Sequence, residues 1–155
     1  MKFQSPVLVV NDMEESKKFY KDVLGLRVIL DFGANVTLTG GVALQTKESW
    51  KEFIHKEDNE INFSGNDAEL CFEEDDFDSF IEKLNDVKFI DYVHPVVEHS
   101  WGQRVVRFYD LDKHIIEVGE NMKTVCKRFL LNGLTVEETA KKMDVPIKYV
   151  QKCTK

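Results

Sequence analysis

Residues 113–120 read KHIIEVGE, and Glu117 stands in a run whose neighbours Ile115, Ile116 and Val118 are all β-branched. Such a run predicts a strand covered on both faces, where an ionised carboxylate is costly unless it is hydrogen-bonded, paired or protonated. Arg104 and Arg107 are candidate partners. Three residues apart on one strand, they face opposite sides, so at most one of them shares a face with Glu117. A carboxylate in that position could be half of a structural ion pair, a general base, or an oxygen ligand to a metal. Other residues able to do chemistry are Gln45 in VALQT, Glu69 and Cys71 in AELCF, and Trp101 in HSWGQ. Alternation sets Gln45 opposite to Leu44 and puts Glu69 and Cys71 on one face. Trp101 offers a flat surface to a planar or cationic ligand. Cys71 has no activating neighbour in sequence, and a single buried thiol is usually inert. His99 reads as a loop residue and His114 as part of the DLDKH turn.

The elements that must position these residues form a repeating order. FQSPVLVV, residues 3–10, predicts a strand; NDMEESKKFYKDVLGL predicts a helix capped by Asn11 or Asp12 and ended by Gly25, with Phe19, Val23 and Leu24 at helical spacing. RVILDFG, NVTLTG and VALQT follow as three short strands with glycine turns between them. Residues 47–66 are polar and acidic and read as a connector with a short helix around residues 50–54. The order then recurs: AELCFEE as a strand, DDFDSFIEKLND as a capped helix with Phe77, Phe80, Ile81 and Leu84 on one stripe, and KFIDYVHPVVE, QRVVRFYD and HIIEV as strands. The expected class is α+β, with tandem βαβββ modules at 1–46 and 67–120. Residues 121–155 predict a helical tail: a helix ended by Asn132-Gly133, a second capped by Thr135 with Glu138 in a capping box, and a third opened by Pro146.

Charge separates the tail from the body. Net charge is −7, yet from Asn121 onward eight basic residues face three acidic ones, giving the tail +5 and residues 1–120 −12. An acidic body favours neutral or cationic ligands and repels nucleic acid. Cys71, Cys126 and Cys153 form no CxxC pair, which argues against a zinc knuckle or a disulfide framework and fits a reducing compartment. No stretch approaches the roughly 20 apolar residues of a membrane span, and the first residues lack the pattern of a signal peptide, so the expectation is a cytoplasmic protein without membrane contact.

VVNDMEESKKFYKDVLGL and WGQRVVRFYDLDKHIIEVGE resemble the two sequence signatures of the vicinal oxygen chelate superfamily, which spans glyoxalases, bleomycin-resistance proteins and dioxygenases. The resemblance covers about residues 3–120 and implies that each module curls into half of a cup whose concave face takes ligands. It places ligand-contacting positions at Ser5, Val7, Gln45, Glu69, Cys71, Trp101 and Glu117. The family's four metal positions fall on Ser5, Gln45, Glu69 and Glu117; Ser5 is a poor ligand, while Gln45, Glu69 and Glu117 are oxygen donors that suit Mg²⁺ or Mn²⁺. No imidazole falls on a ligand position for Zn²⁺, Ni²⁺ or Fe²⁺, which argues against a dioxygenase. Leu111 and Lys113 stand where the family has Pro and Gly in the DLDKH turn.

Three functions follow as expectations. The first is a binding protein of the bleomycin-resistance type that holds a small organic molecule without the complete metal site and needs no cofactor. The second is a glyoxalase-like lyase or isomerase, with a divalent metal (Mg, Mn, Ni or Zn) and Glu117 as base or metal ligand. The third is a ligand-sensing regulator, because LTVEETAKKMDVPIKYVQK resembles a helix-turn-helix in outline. For the tail, a helical cap on the body or on a partner subunit is the favoured reading, and nucleic acid is not expected as a partner. A homodimer is expected, as is common in the superfamily.

Overall fold

The computed structural model describes residues 1–153. Its chain divides into two compact units, the first holding Met1–Glu69 with Phe89–Asp91 and Tyr109–Ile115, the second holding Leu70–Lys88, Tyr92–Phe108 and the residues from Ile116 on. Each unit is built on one open, four-stranded mixed sheet, so the expected α+β class and the repeated strand order are present.

In the first unit β1 (Val7–Val10), β2 (Val28–Asp31), β3 (Asn35–Leu38) and β4 (Ala43–Thr46) lie in the order β1-β4-β3-β2. β1 and β4 run parallel, and β2, β3 and β4 pair antiparallel. The first strand is shorter than the expected 3–10. Pro6 has no N–H for a ladder, and the strand begins just beyond it, while the Pro6 carbonyl still accepts from Ala43. Helix α1 (Met13–Leu24) is capped by Asp12, which accepts from the Glu15 amide, and ends at Gly25 in the left-handed region. Phe19 and Tyr20 are buried on it. Val10, Val36, Leu38 and Leu44 make one fully covered sheet face. The connector contains a longer helix than expected, α2 (Lys47–Ile54), and a 3₁₀ turn at Asp58–Glu60.

A buried polar knot completes this unit. The Asp110 carboxylate accepts from the Tyr20 hydroxyl at 2.7 Å, from the amides of Asp112 (2.9 Å) and His114 (2.8 Å), and from His114 Nδ1 at 2.8 Å. Asp112 accepts from the Asn11 side chain at 2.6 Å. Burial pushes the Asp112 carboxyl up, partly offset by Asn11. The departure of the DLDKH turn from the family pattern is absorbed locally: Lys113 takes the left-handed conformation, φ 68°, that a glycine would adopt there without steric cost. Asp110→Ala strands the Tyr20 hydroxyl and the turn amides together, so we expect a loss of about 3 kcal/mol in urea unfolding. Tyr20→Phe removes a single donor and should cost about 1 kcal/mol by the same measurement.

In the second unit β5 (Glu69–Glu74), β6 (Asp91–Glu98), β7 (Arg104–Tyr109) and β8 (Ile115–Glu120) take the corresponding order β5-β8-β7-β6. Helix α3 (Phe77–Asp86) buries Phe77 and Leu84 of the expected stripe, with Phe80 and Ile81 half-covered. The tail forms α4 (Met122–Leu131), α5 (Val136–Met143) and α6 (Ile147–Cys153), at the positions expected from the Asn132-Gly133 stop, the Thr135–Glu138 capping box and Pro146.

Candidate ligand site

In the second unit β8 lies between β5 and β7, which places Glu117 in mid-sheet. Its flank residues Ile116 and Val118 are buried on the opposite face, as alternation requires. Glu117 is itself 8% exposed. Its carboxylate is ion-paired with Arg107 of β7 and accepts the Cys71 thiol of β5 at 3.1 Å. Arg107 is also 3.2 Å from His94 Nε2. His94 Nδ1 lies 2.7 Å from the Pro95 carbonyl, so the proton sits on Nδ1 and Nε2 accepts from the guanidinium. Cys71, Glu117, Arg107 and His94 thus form one polar line across the sheet, each on a different one of its four strands. Of the two candidate arginines Arg107 shares the Glu117 face, and Arg104 turns the other way, where its Nη1 reaches Asp78 on α3 at 2.7 Å.

The other expected residues are differently placed. Cys71 is exposed and not a buried thiol, because it lies on the open face of β5 that also carries the exposed Glu69 and Glu73. Trp101 lies in the β6–β7 hairpin, half-buried, stacked on His99 with ring centroids 4.2 Å apart and donating to Gln103 at 3.2 Å. In the first unit Ser5 precedes β1, so strand alternation does not orient it. Val7 is 42% exposed and shares a sheet face with Gln45, since Val7 pairs with Ala43 and Val9 with Gln45. Gln45 is buried and both ends of its amide are used, Oε1 accepting from Asn35 at 2.8 Å and Nε2 donating to Ser49 at 2.5 Å. Sequence reasoning missed those two partners. The Asn35–Gln45 pair follows from the β3–β4 register, and Ser49 from the onset of α2 four residues on.

The donor set does not fit a complete family metal site. Ser5 offers a neutral hydroxyl, Gln45 has its amide engaged, and Glu117 is neutralised by Arg107. Among the described residues no group of three His, Cys, Asp or Glu side chains converges to hold an ion.

A second charged node sits on the opposite face of β8. Glu120, 1% exposed, accepts from Arg104 Nη2 at 3.1 Å and Nε at 3.2 Å and from Arg128 of α4 at 2.9 Å. Burial alone would raise this carboxyl, and the two guanidinium groups outweigh it, holding Glu120 below the usual carboxylate range. Arg128 also donates to the Gly102 carbonyl at 2.6 Å, and the Phe129 ring fills the space a Cβ at Gly102 would need. Helix α4 therefore braces both the end of the strand that carries Glu117 and the hairpin that carries Trp101.

Residues 3–123 match the sequence profile described as "Glyoxalase-like domain". The chain belongs to this family, within the vicinal oxygen chelate superfamily. A protein of unknown function from Agrobacterium tumefaciens is 36% identical, with a TM-score of 0.69 over 78% of this chain and 94% of that one. A glyoxalase/bleomycin resistance protein/dioxygenase from Nocardioides is 20% identical over 77% and 83%, with a TM-score of 0.62. The lactoylglutathione lyase from A. tumefaciens is 22% identical over 77% and 93%, with a TM-score of 0.59. The last two establish likeness of fold. No curated protein sequence matches the chain. The family match ends within α4, so α5 and α6 lie beyond it. No helix of the described residues is long and apolar enough to cross a membrane.

Proposed function

We propose that this glyoxalase-like protein binds a small organic molecule on the open sheet face of the second unit, with Cys71, Glu117 and the hairpin residue Trp101 as its contacts, and that it does so without the family's complete metal site. The observation that carries this reading is the engagement of Glu117 by Arg107 and Cys71. A carboxylate whose charge is met by a guanidinium is a weak metal ligand, yet it remains a strong hydrogen-bond acceptor for a ligand N–H. Trp101 adds a flat apolar surface, suited to a planar ligand. The protein acts as a homodimer in the cytoplasm; support for self-association comes from the exposed apolar residues of β2 and its turn, where Ile29 is 62% and Phe32 69% exposed.

Elemental analysis of protein purified without added ions, followed by thermal shifts with Mg²⁺, Mn²⁺, Ni²⁺ and Zn²⁺, tests the reading. We expect substoichiometric metal and no stabilisation by any of the four. Planar neutral or cationic molecules should raise the melting temperature instead, a ligand at 100 times its Kd adding about 2.7 kcal/mol. Glu117→Gln should weaken such a ligand about tenfold or more through loss of a charge-assisted hydrogen bond. One tightly held metal ion per chain would sink the metal-free reading and favour a glyoxalase-like lyase or isomerase.

A further inference from the structure

We propose that α5 and α6 form a helix-turn-helix that binds double-stranded DNA, with Lys141, Lys142, Lys148 and Lys152 on its phosphates. Helices α4, α5 and α6 share a core of their own: Val125, Cys126 and Phe129 from the first, Ala140 and Met143 from the second, Val150 and Cys153 from the third. Between α5 and α6 lie three residues, Asp144 to Pro146. A linker this short is what joins the two helices of a helix-turn-helix. Asp144 takes the left-handed conformation at φ 53°, and the Val145 amide closes the turn on the Ala140 carbonyl at 3.0 Å.

The buried positions define which surface is left outside. With Val150 and Cys153 turned inward, α6 exposes Lys148, Gln151 and Lys152, three and four residues apart and therefore on one face. Lys141 and Lys142 are exposed at the end of α5, next to the turn. Of the tail's three acids, Glu138 is committed to the Thr135 cap. This concentration of positive charge is what duplex phosphates select. A single strand would require an aromatic platform, and among the described residues of α5 and α6 Tyr149 is the sole aromatic and is half-buried. A protein partner would require an apolar centre, whereas this face is lysine-rich, with Ile147 at 45% exposure as its large apolar side chain. The acidic body argued against nucleic acid when charge was taken over the whole chain. α4 does cap the body, yet the outer face of α5 and α6 has the opposite sign. Few side chains there read base edges, so binding rests mainly on phosphates, with affinity in the range of non-specific complexes.

The test is fluorescence anisotropy of the full chain with a labelled duplex of about 25 base pairs in roughly 25 to 200 mM salt. Four phosphate contacts predict a log–log salt slope of about −3.6. Lys148→Glu/Lys152→Glu should cut affinity tenfold or more and reduce the slope by about 1.8, since two phosphate contacts are lost. The melting temperature should stay unchanged, because both lysines are exposed. The proposal is overturned if no binding appears up to roughly 100 µM chain at the lowest salt, if the double variant binds like the parent, or if single strands bind more tightly than the duplex. It also fails if the variant alters sedimentation of the free chain and leaves DNA binding unchanged, which would assign the face to contacts between copies of the chain.

Discussion

Glu120→Ala is expected to lower the unfolding free energy by about 3 to 5 kcal/mol, because it removes the shared partner of two arginines from a buried site. Arg104 keeps the Asp78 carboxylate as a partner at 2.7 Å, whereas Arg128 is left with the neutral Gly102 carbonyl at 2.6 Å. Glu120→Gln preserves shape and one acceptor and should cost less. The pH dependence has a definite sign. The native Glu120 pKa is depressed, so its contribution is complete above the ordinary carboxylate value of about 4.3 and is lost as pH falls through the lower native value. Urea titrations at neutral and acid pH should therefore show the gap between parent and Glu120→Gln closing on acidification. A gap that stays constant with pH would show that the glutamate acts through packing alone.

Gly102→Ala should be the most damaging glycine substitution in the second unit. Its φ of +89° is strained for any L side chain, and the added methyl would collide with the Phe129 ring. Together the two effects are worth about 3 kcal/mol. Gly133→Ala is the internal control. Its φ of +91° is equally strained, but nothing lies within 4 Å of the new Cβ. That change should cost about 1 kcal/mol. Thermal unfolding reads both, and Trp101 emission in a Trp50→Phe background reads the hairpin. We expect Gly102→Ala to shift that emission and Gly133→Ala to leave it unchanged, since α4 touches the hairpin at Gly102. Equal effects of the two alanines on stability and emission would remove the brace from the account.

Much of the fold was legible because its signals are local. Asp12, Thr135 with Glu138, and Gly25 announce helix ends through bonds made within one turn. Glycine turns and alternation announce the strands of both modules. Where a local rule met a backbone constraint, the constraint won: Pro6 delays β1 and leaves Ser5 outside it. The parity of Arg104 and Arg107 was also readable, since it needs no more than the pleat of one strand. Which of the two meets Glu117 was not, because that depends on the facing of β7 against β8.

By itself, then, the sequence determined the order of elements, the family, and a tail of opposite charge to the body. Tertiary structure decided how the polar residues are used. It joined Glu117 to Arg107 and Cys71, spent the Gln45 amide on Asn35 and Ser49, buried Glu120 between two arginines, and set Phe129 against Gly102. These contacts link residues on different strands and helices, and their energies depend on burial and register, neither of which is encoded in the spacing of residues along the chain.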